Sequence, residues 1–375
     1  MSTETKPPYS PGLAGIVAGE TAICWVDPNA GLMYRGYDIH EMAKQANFEE
    51  VAYLLLNGEL PNAQQLMDFG KQIAAERTLP EPVTDMLRLL PKTMHPMDVL
   101  RTGVSMLAGF DQDLNDHSHE ANVRKSIRLI ARVSTLITDS WRIAHGQEVI
   151  ADDNSLTHAG NFLYKLTGKK AETWQIRMLD TIFILYADHD FNASTFAARV
   201  TASTLSDMYA AVTSACGTLK GPLHGGANEE SMKMLDEIKT PENAEKWMMD
   251  ALAKKAKIMG FGHRVYKEGD SRVPIMRDIA RDYGQRSGKE NWVPICEKLE
   301  ATMEREKGLC ANVDLYAAPV FTMFGFPSEL NTPIFAVSRV AGWCAHVTEQ
   351  HDNNRLIRPR SIYVGPEERP YKAVS

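Results

Sequence analysis

Apolar residues in this chain recur every three or four positions, and that spacing restricts it to helices packed on helices. Leu205, Met208, Val212, Ala215 and Leu219 make one apolar stripe, which a period of 3.6 residues places on a single helix face. Gly221-Pro222 then ends that helix, because proline lacks the amide that would continue the ladder. A second helix is predicted to open at Asn228, a residue suited to N-capping, with Glu229 and Glu230 in the first turn, where the helix dipole favours acids. Met232, Leu235 and Ile238 supply its apolar side. Residues 48–56 and 247–258 also read as helices. Alternation suited to strands is scarce, and residues 16–26 are the best candidate for a small N-terminal sheet or hairpin. Residues 111–122 and 239–243 read as exposed loops. The pattern predicts a mainly α protein.

The chain has 375 residues, 44% of them hydrophobic, enough for a large core and one or two domains. A net charge of −7 gives no global attraction to nucleic acid or to an anionic membrane. Five cysteines (Cys24, Cys216, Cys296, Cys310 and Cys344) are odd in number and lack C-x-x-C spacing, so reduced thiols are expected rather than disulfides or a zinc site. Residues 1–12 are polar and proline-rich, as a frayed end would be. No window nears the roughly 18 consecutive apolar residues of a membrane span. A soluble cytoplasmic protein is expected.

Three separated sites in the second half carry the chemistry. His224 lies in Gly221-Pro222-Leu223-His224-Gly225-Gly226-Ala227-Asn228, between a helix stop and a helix start, and its glycines let the backbone approach a ligand closely. The His-Gly-Gly run resembles an esterase oxyanion loop, but the chain has no G-x-S-x-G elbow. His263 lies in Gly260-Phe261-Gly262-His263-Arg264-Val265-Tyr266. Val265 stands where a dinucleotide fingerprint has its third glycine, and no βαβ unit precedes it. Lys254, Lys255, Lys257, Arg264, Lys267 and Arg272 make this stretch basic within an acidic chain, as a phosphate or carboxylate ligand requires. Asp314 reads as a loop acid among apolar neighbours, which raise a carboxylate's pKa toward that of a general base. Arg339 interrupts an apolar helical stretch and needs an anionic partner; Arg358-Pro359-Arg360 adds two more guanidinium groups. Asp188-His189-Asp190 looks metal-like, but adjacent residues on a helix diverge, so no metal site is expected. His117-Ser118-His119 reads as an inert loop. Two imidazoles, a carboxylate and several arginines can together take a proton from carbon and polarise a carbonyl.

From about Gly12 to Tyr371 the sequence resembles citrate synthases of the dimeric bacterial and archaeal type, and the neighbouring 2-methylcitrate synthases. The resemblance rests on Tyr34-Arg35-Gly36-Tyr37-Asp38-Ile39, His95-Pro96-Met97-Asp98, Ala187-Asp188-His189-Asp190-Phe191-Asn192-Ala193-Ser194-Thr195-Phe196, the three sites above, Thr332-Pro333-Ile334-Phe335 and Leu356-Ile357-Arg358-Pro359. It implies a large helical domain (1–224 and 321–375, the dimerising part), a small helical domain (225–320, the coenzyme A-binding part) and a cleft between them that closes over substrate. It implies the citrate synthase reaction of the tricarboxylic acid cycle. Asp314 removes a methyl proton from acetyl-CoA, His224 stabilises the enol or enolate, and His263 activates oxaloacetate. His189, Arg272, Arg339 and Arg358 would bind oxaloacetate, with Arg358 reaching the site of the partner subunit in a homodimer. Lys257, Ile258, Met259, Gly260, Phe261, Gly262 and Lys267 would hold coenzyme A as a cosubstrate. No permanently bound cofactor and no metal is implied. Propionyl-CoA as the acyl donor, or a non-catalytic acyl-CoA-binding protein, are the alternatives.

Overall fold

A computed structural model of the chain describes residues 9–27, 31–263, 265–266 and 269–373. Lys267 and Arg264 lie outside the described residues. Strands β1 (Cys24–Asp27), β2 (Gly31–Tyr34) and β3 (Tyr37–Asp38) form one small antiparallel sheet in that order. Of the 16–26 stretch, only the part from Cys24 onward enters it. The register pairs Cys24 with Tyr34, the last residue of β2, and the last bond beyond it runs from the Arg35 amide to the Ile23 carbonyl at 2.8 Å. Ile16 and Val17 are left exposed.

Helices make the rest. In chain order they are α1 (Ile39–Gln45), α2 (Phe48–Asn57), α3 (Ala63–Ala75), α4 (Glu81–Leu89), α5 (Pro96–Leu107), α6 (His119–Ala144), α7 (His158–Thr167) and α8 (Thr173–Tyr186). There follow α9 (Ala193–Ala202), α10 (Met208–Leu219), α11 (Ala227–Ile238), α12 (Pro241–Ala253), α13 (Val273–Ser287), α14 (Trp292–Lys307), α15 (Val313–Phe324) and α16 (Asn331–Asp352). Helix α16 is buried on every side, as a helix at the centre of a large core must be. It packs on α2, α6, α8, α9 and α10. Helices α11 to α15 pack chiefly on one another, α11 and α13 both against α15, and α12 against α14. No described helix is long and apolar enough to cross a membrane, and all five cysteines are free thiols.

Capping chemistry moves several helix ends from where apolar spacing puts them. Helix α10 starts at Met208, not at Leu205, because the Asp207 side chain accepts the Ala210 amide. Leu205 sits in the preceding turn, exposed, at φ 61°. Helix α11 starts at Ala227, with Gly226 at the cap; Asn228 is inside the first turn and fully buried. The Ser118 hydroxyl accepts the Ala121 amide and starts α6 at His119, which shortens the expected loop there. Pro241 opens α12, leaving only Lys239 and Thr240 as the loop. Helix α12 ends at Ala253, short of residue 258, and the next residues turn toward the cleft described below.

Candidate active site

Twelve of the predicted site residues line one cleft of about 1040 Å³: His189, His224, the 257–262 stretch, His263, Arg272, Asp314 and Arg339. Residues 12–19 form part of its wall. Arg358 is exposed and is not among the lining residues; among the described residues its guanidinium donates only to the Pro359 carbonyl.

The loop bearing His224 is tight for a reason internal to the chain. A Cβ on Gly225 would lie 2.7 Å from Leu219 Cδ1, and one on Gly226 2.8 Å from the Lys220 carbonyl oxygen. These glycines let the backbone close onto the end of α10, not onto a ligand. The His224 Nε2 atom faces Ser194, whose amide donates to it at 3.3 Å and whose Oγ lies at 2.7 Å. An amide can only donate, so Nε2 accepts and the neutral ring carries its proton on Nδ1. Trp343 Nε1 donates to Ser194 Oγ at 3.1 Å, and the single hydroxyl proton is shared between the Asn192 Oδ1 acceptor at 2.8 Å and the imidazole. Burial first, then the Arg339 charge, lower the imidazole pKa to about 3.

His263 has the opposite tautomer. Its Nδ1 accepts the amides of Val265 and Tyr266, both at 3.1 Å, so Nε2 bears the proton. Burial and the Arg272 charge bring its pKa to about 4. His189 packs edge-on against His263 with ring centroids 5.0 Å apart, and its Nε2 meets the Tyr266 hydroxyl at 3.2 Å. Burial and Arg272 hold its pKa well below the ordinary range. Asp188, its neighbour, turns instead to His346 Nε2 at 3.1 Å. The Asp-His-Asp run lies in the turn after α8, not on a helix, and its members diverge; no grouping of three or more potential ligands able to hold a metal occurs among the described residues.

Two buried guanidinium groups behave differently. Arg272 makes a two-pronged pair with Asp270, Nε to Oδ1 at 2.9 Å and Nη2 to Oδ2 at 2.8 Å. Burial opposes ionisation of Asp270, but the charge and hydrogen bonds of Arg272 hold its pKa below the usual carboxylate value. Asp270 Oδ2 also accepts the Val313 amide at 3.1 Å, tying Arg272 to the start of α15. Arg339 is 1% exposed. Its Nε donates to the Tyr186 carbonyl at 2.6 Å, and it lies over the Phe335 ring, 4.6 Å from the centroid. Among the described residues no carboxylate pairs with it, so a buried cation faces the cleft without its anion.

Asp314 is the second residue of α15 rather than a loop acid, and the Asn312 side chain caps its amide at 3.1 Å. Burial pushes its pKa up to about 6 against the opposing pull of Arg272. The 260–262 loop is fastened beside it. Gly262 N donates to Cys310 O and Asn312 N to Gly260 O, both at 2.9 Å. Gly260 holds φ 83° with Leu315 Cβ only 3.0 Å from where its own Cβ would stand. Sequence reasoning misses Ser194, Tyr266 and Asp270 as functional side chains, and reads Asn228 as a cap; its Nδ2 instead donates to Asp314 Oδ1 at 3.4 Å. The Asp-Ser-Arg spacing before α13 was the available signal for Asp270.

Comparison with known proteins agrees with this geometry. The family model described as citrate synthase, C-terminal domain, matches residues 12–360. The chain is 43% identical to citrate synthase of Heyndrickxia coagulans over 95% of this chain and 96% of that protein. It is 44% identical to citrate/2-methylcitrate synthase of Bacillus subtilis strain 168, over 97% and 98% of the two. The structure superposes with a TM-score of 0.92 on citrate synthase from Thermoplasma acidophilum, solved as a ternary complex with carboxymethyl coenzyme A and oxaloacetate, at 35% identity and covering 98% of this chain and 99% of that one.

Proposed function

The chain belongs to the citrate synthase family, and on that premise we propose that it condenses acetyl-CoA with oxaloacetate and hydrolyses the citryl-CoA formed to citrate and CoA. The observation that carries this reading is the meeting of His224, His263 and Asp314 in one cleft, with the two imidazoles neutral and protonated on opposite nitrogens.

A thioester α-carbon is a weak acid, so base and oxyanion donor must act together. Asp314 takes a methyl proton while His224 donates its Nδ1 hydrogen to the thioester oxygen. The enol carbon attacks the ketone of oxaloacetate, whose oxygen is polarised and then protonated from His263 Nε2, while the enol proton returns to His224 and the proton held on Asp314 passes through solvent to restore His263. Water cleaves the resulting thioester and CoA leaves. Arg272 and Arg339 bind the acceptor's carboxylates beside His189, and Arg358 of a second copy completes their charge. These guanidinium groups supply the positive charge that the step needs, so it runs without a metal or resident cofactor. Residues 257–262, with Lys267, hold coenzyme A. The 225–320 unit closes on the rest of the chain over bound substrate, and the homodimer works in the cytoplasm, in the tricarboxylic acid cycle.

The second reading is 2-methylcitrate synthesis from propionyl-CoA, favoured by the likeness to the Bacillus subtilis enzyme, which is named for both activities. Thiol release with oxaloacetate plus acetyl-CoA, and then plus propionyl-CoA, tests both. A higher kcat/KM with acetyl-CoA is expected. The reverse ranking would make it a 2-methylcitrate synthase, and binding of both without thiol release would leave a non-catalytic acyl-CoA-binding protein.

A further inference from the structure

We infer that Asn228 is a positioning residue for Asp314: it holds one carboxylate oxygen and leaves the other to take the substrate's proton. This rests on Asp314 being the base. Asn228 is fully buried in the first turn of α11, four residues after His224. Its whole amide is committed. Nδ2 donates to Asp314 Oδ1 at 3.4 Å and to the Tyr186 hydroxyl at 3.3 Å, and Oδ1 accepts from Asn331 Nδ2 at 3.0 Å. The direction of this relay is set at Asp314. An ionised carboxylate only accepts, so Asn228 must present its N–H groups there and its oxygen to Asn331. Asn331 must then present its own N–H groups, and its Oδ1 is left buried without a partner. A buried unpaired oxygen is costly, and a cluster that only filled space is built more cheaply from apolar side chains. The relay therefore has a use other than packing.

Its geometry supplies one. Among the described residues Asp314 Oδ1 is held by Asn228 and Oδ2 has no hydrogen-bond partner, while the residue lines the cleft. The bond also joins the helix that follows the His224 loop to the helix that carries the base, so oxyanion donor and base keep a fixed separation. The other polar and charged groups facing Asp314 are Arg272 at the start of α13, Asp270 before it, Tyr186 at the end of α8 and Arg339 on α16. Replacing Asn228 leaves Arg272, Asp270 and Arg339 in place and removes one donor from the Tyr186 hydroxyl.

Asn228→Leu, Asn228→Ser and Asn228→Asp are compared with the native chain and with Asp314→Asn, by thiol release with oxaloacetate and acetyl-CoA across pH. Loss of a hydrogen bond to a charged group should lower kcat by about 10- to 100-fold in Asn228→Leu, with the KM for oxaloacetate unchanged. The acid limb of kcat/KM should move to higher pH in Leu and Ser, because the carboxylate has lost a donor. It should move further in Asp, where a like charge faces the base. Serine is small and polar but too short to reach Asp314, so it reads the same effect should the leucine variant not fold. Native acid limbs in Leu or Ser, with Asp314→Asn inactive, overturn the inference and leave the base in place. Activity retained in Asp314→Asn overturns the base assignment itself.

Discussion

At the scale of single residues, the site works through groups whose protonation is fixed before substrate arrives. His224 and His263, lowered to about 3 and about 4 by burial, are neutral throughout the range in which Asp314 titrates. Asp314, raised to about 6 by burial, must be ionised to accept a proton. The sign follows: kcat/KM should fall through one protonation as pH drops below about 6, and no histidine adds a second limb there. A limb in the ordinary carboxylate range near ~4 would mean the base is solvated before substrate binds. Asp314→Asn keeps the shape but cannot accept the proton, and turnover should fall by roughly 10²–10⁴ with oxaloacetate affinity little changed. The histidines divide the labour differently. Exchange of the acetyl-CoA methyl protons, measured with an oxaloacetate analogue that cannot react, should collapse in His224→Ala and survive better in His263→Ala; the opposite pattern exchanges their roles. The two histidines were legible because glycine flanks them in sequence, and Asp314 because its neighbours are apolar. Ser194 and Asp270 were not, since each acts on a partner 30 and 43 residues away, through His224 and through the Val313 amide.

At the scale of elements, apolar period located the helices and capping decided where they begin. Spacing alone carried α10 back to Leu205; Asp207 stops it at Met208. Spacing said nothing of the pairing between residues 260–262 and 310–312, because that contact joins two irregular segments by backbone bonds, which leave no side-chain pattern. Two glycines in this pairing make a controlled comparison. Gly260 and Gly262 both sit at positive φ, 83° and 72°, but only Gly260 is pressed against the Leu315 backbone and side chain, while nothing lies within 4 Å of a Cβ on Gly262. Gly262→Ala should incur only the left-handed backbone cost, about 1–2 kcal/mol. Gly260→Ala incurs the same cost and also pushes on the residue after Asp314. Thermal denaturation should therefore rank Gly260→Ala as less stable, and at saturating acyl-CoA it should lose more turnover than Gly262→Ala. Equal losses in both variants would detach this loop from the placement of the base.

At the scale of the whole molecule, α16 is the axis of the core, and the chain beyond it behaves unlike the rest. From residue 354 to 373 it forms no helix or strand, and Leu356, Tyr363, Val364 and Tyr371 are exposed. Apolar groups set out along an arm are what a second copy would cover. Arg358 lies on that arm and does not line its own chain's cleft, whereas Arg339 lines the cleft with no described carboxylate in direct contact, its charge offset only at longer range by Asp188. The sequence made the arginines conspicuous, but a period or a motif holds no information about which copy a side chain serves. If Arg358 completes the site of the partner subunit, neither Asp314→Asn nor Arg358→Ala homodimers are active, yet a hybrid of the two holds one intact site. That site takes its base from the Arg358→Ala chain and its arginine from the Asp314→Asn chain. Equal mixing with full exchange should restore about a quarter of native activity, since half the dimers are hybrids and half their sites are whole. Lysine at position 358 should complement poorly, because its point charge does not grip a carboxylate in two places. Hybrids that form, as judged by differently tagged subunits purifying together, but recover no turnover would put Arg358 outside the neighbouring site and make each subunit answerable for its own chemistry.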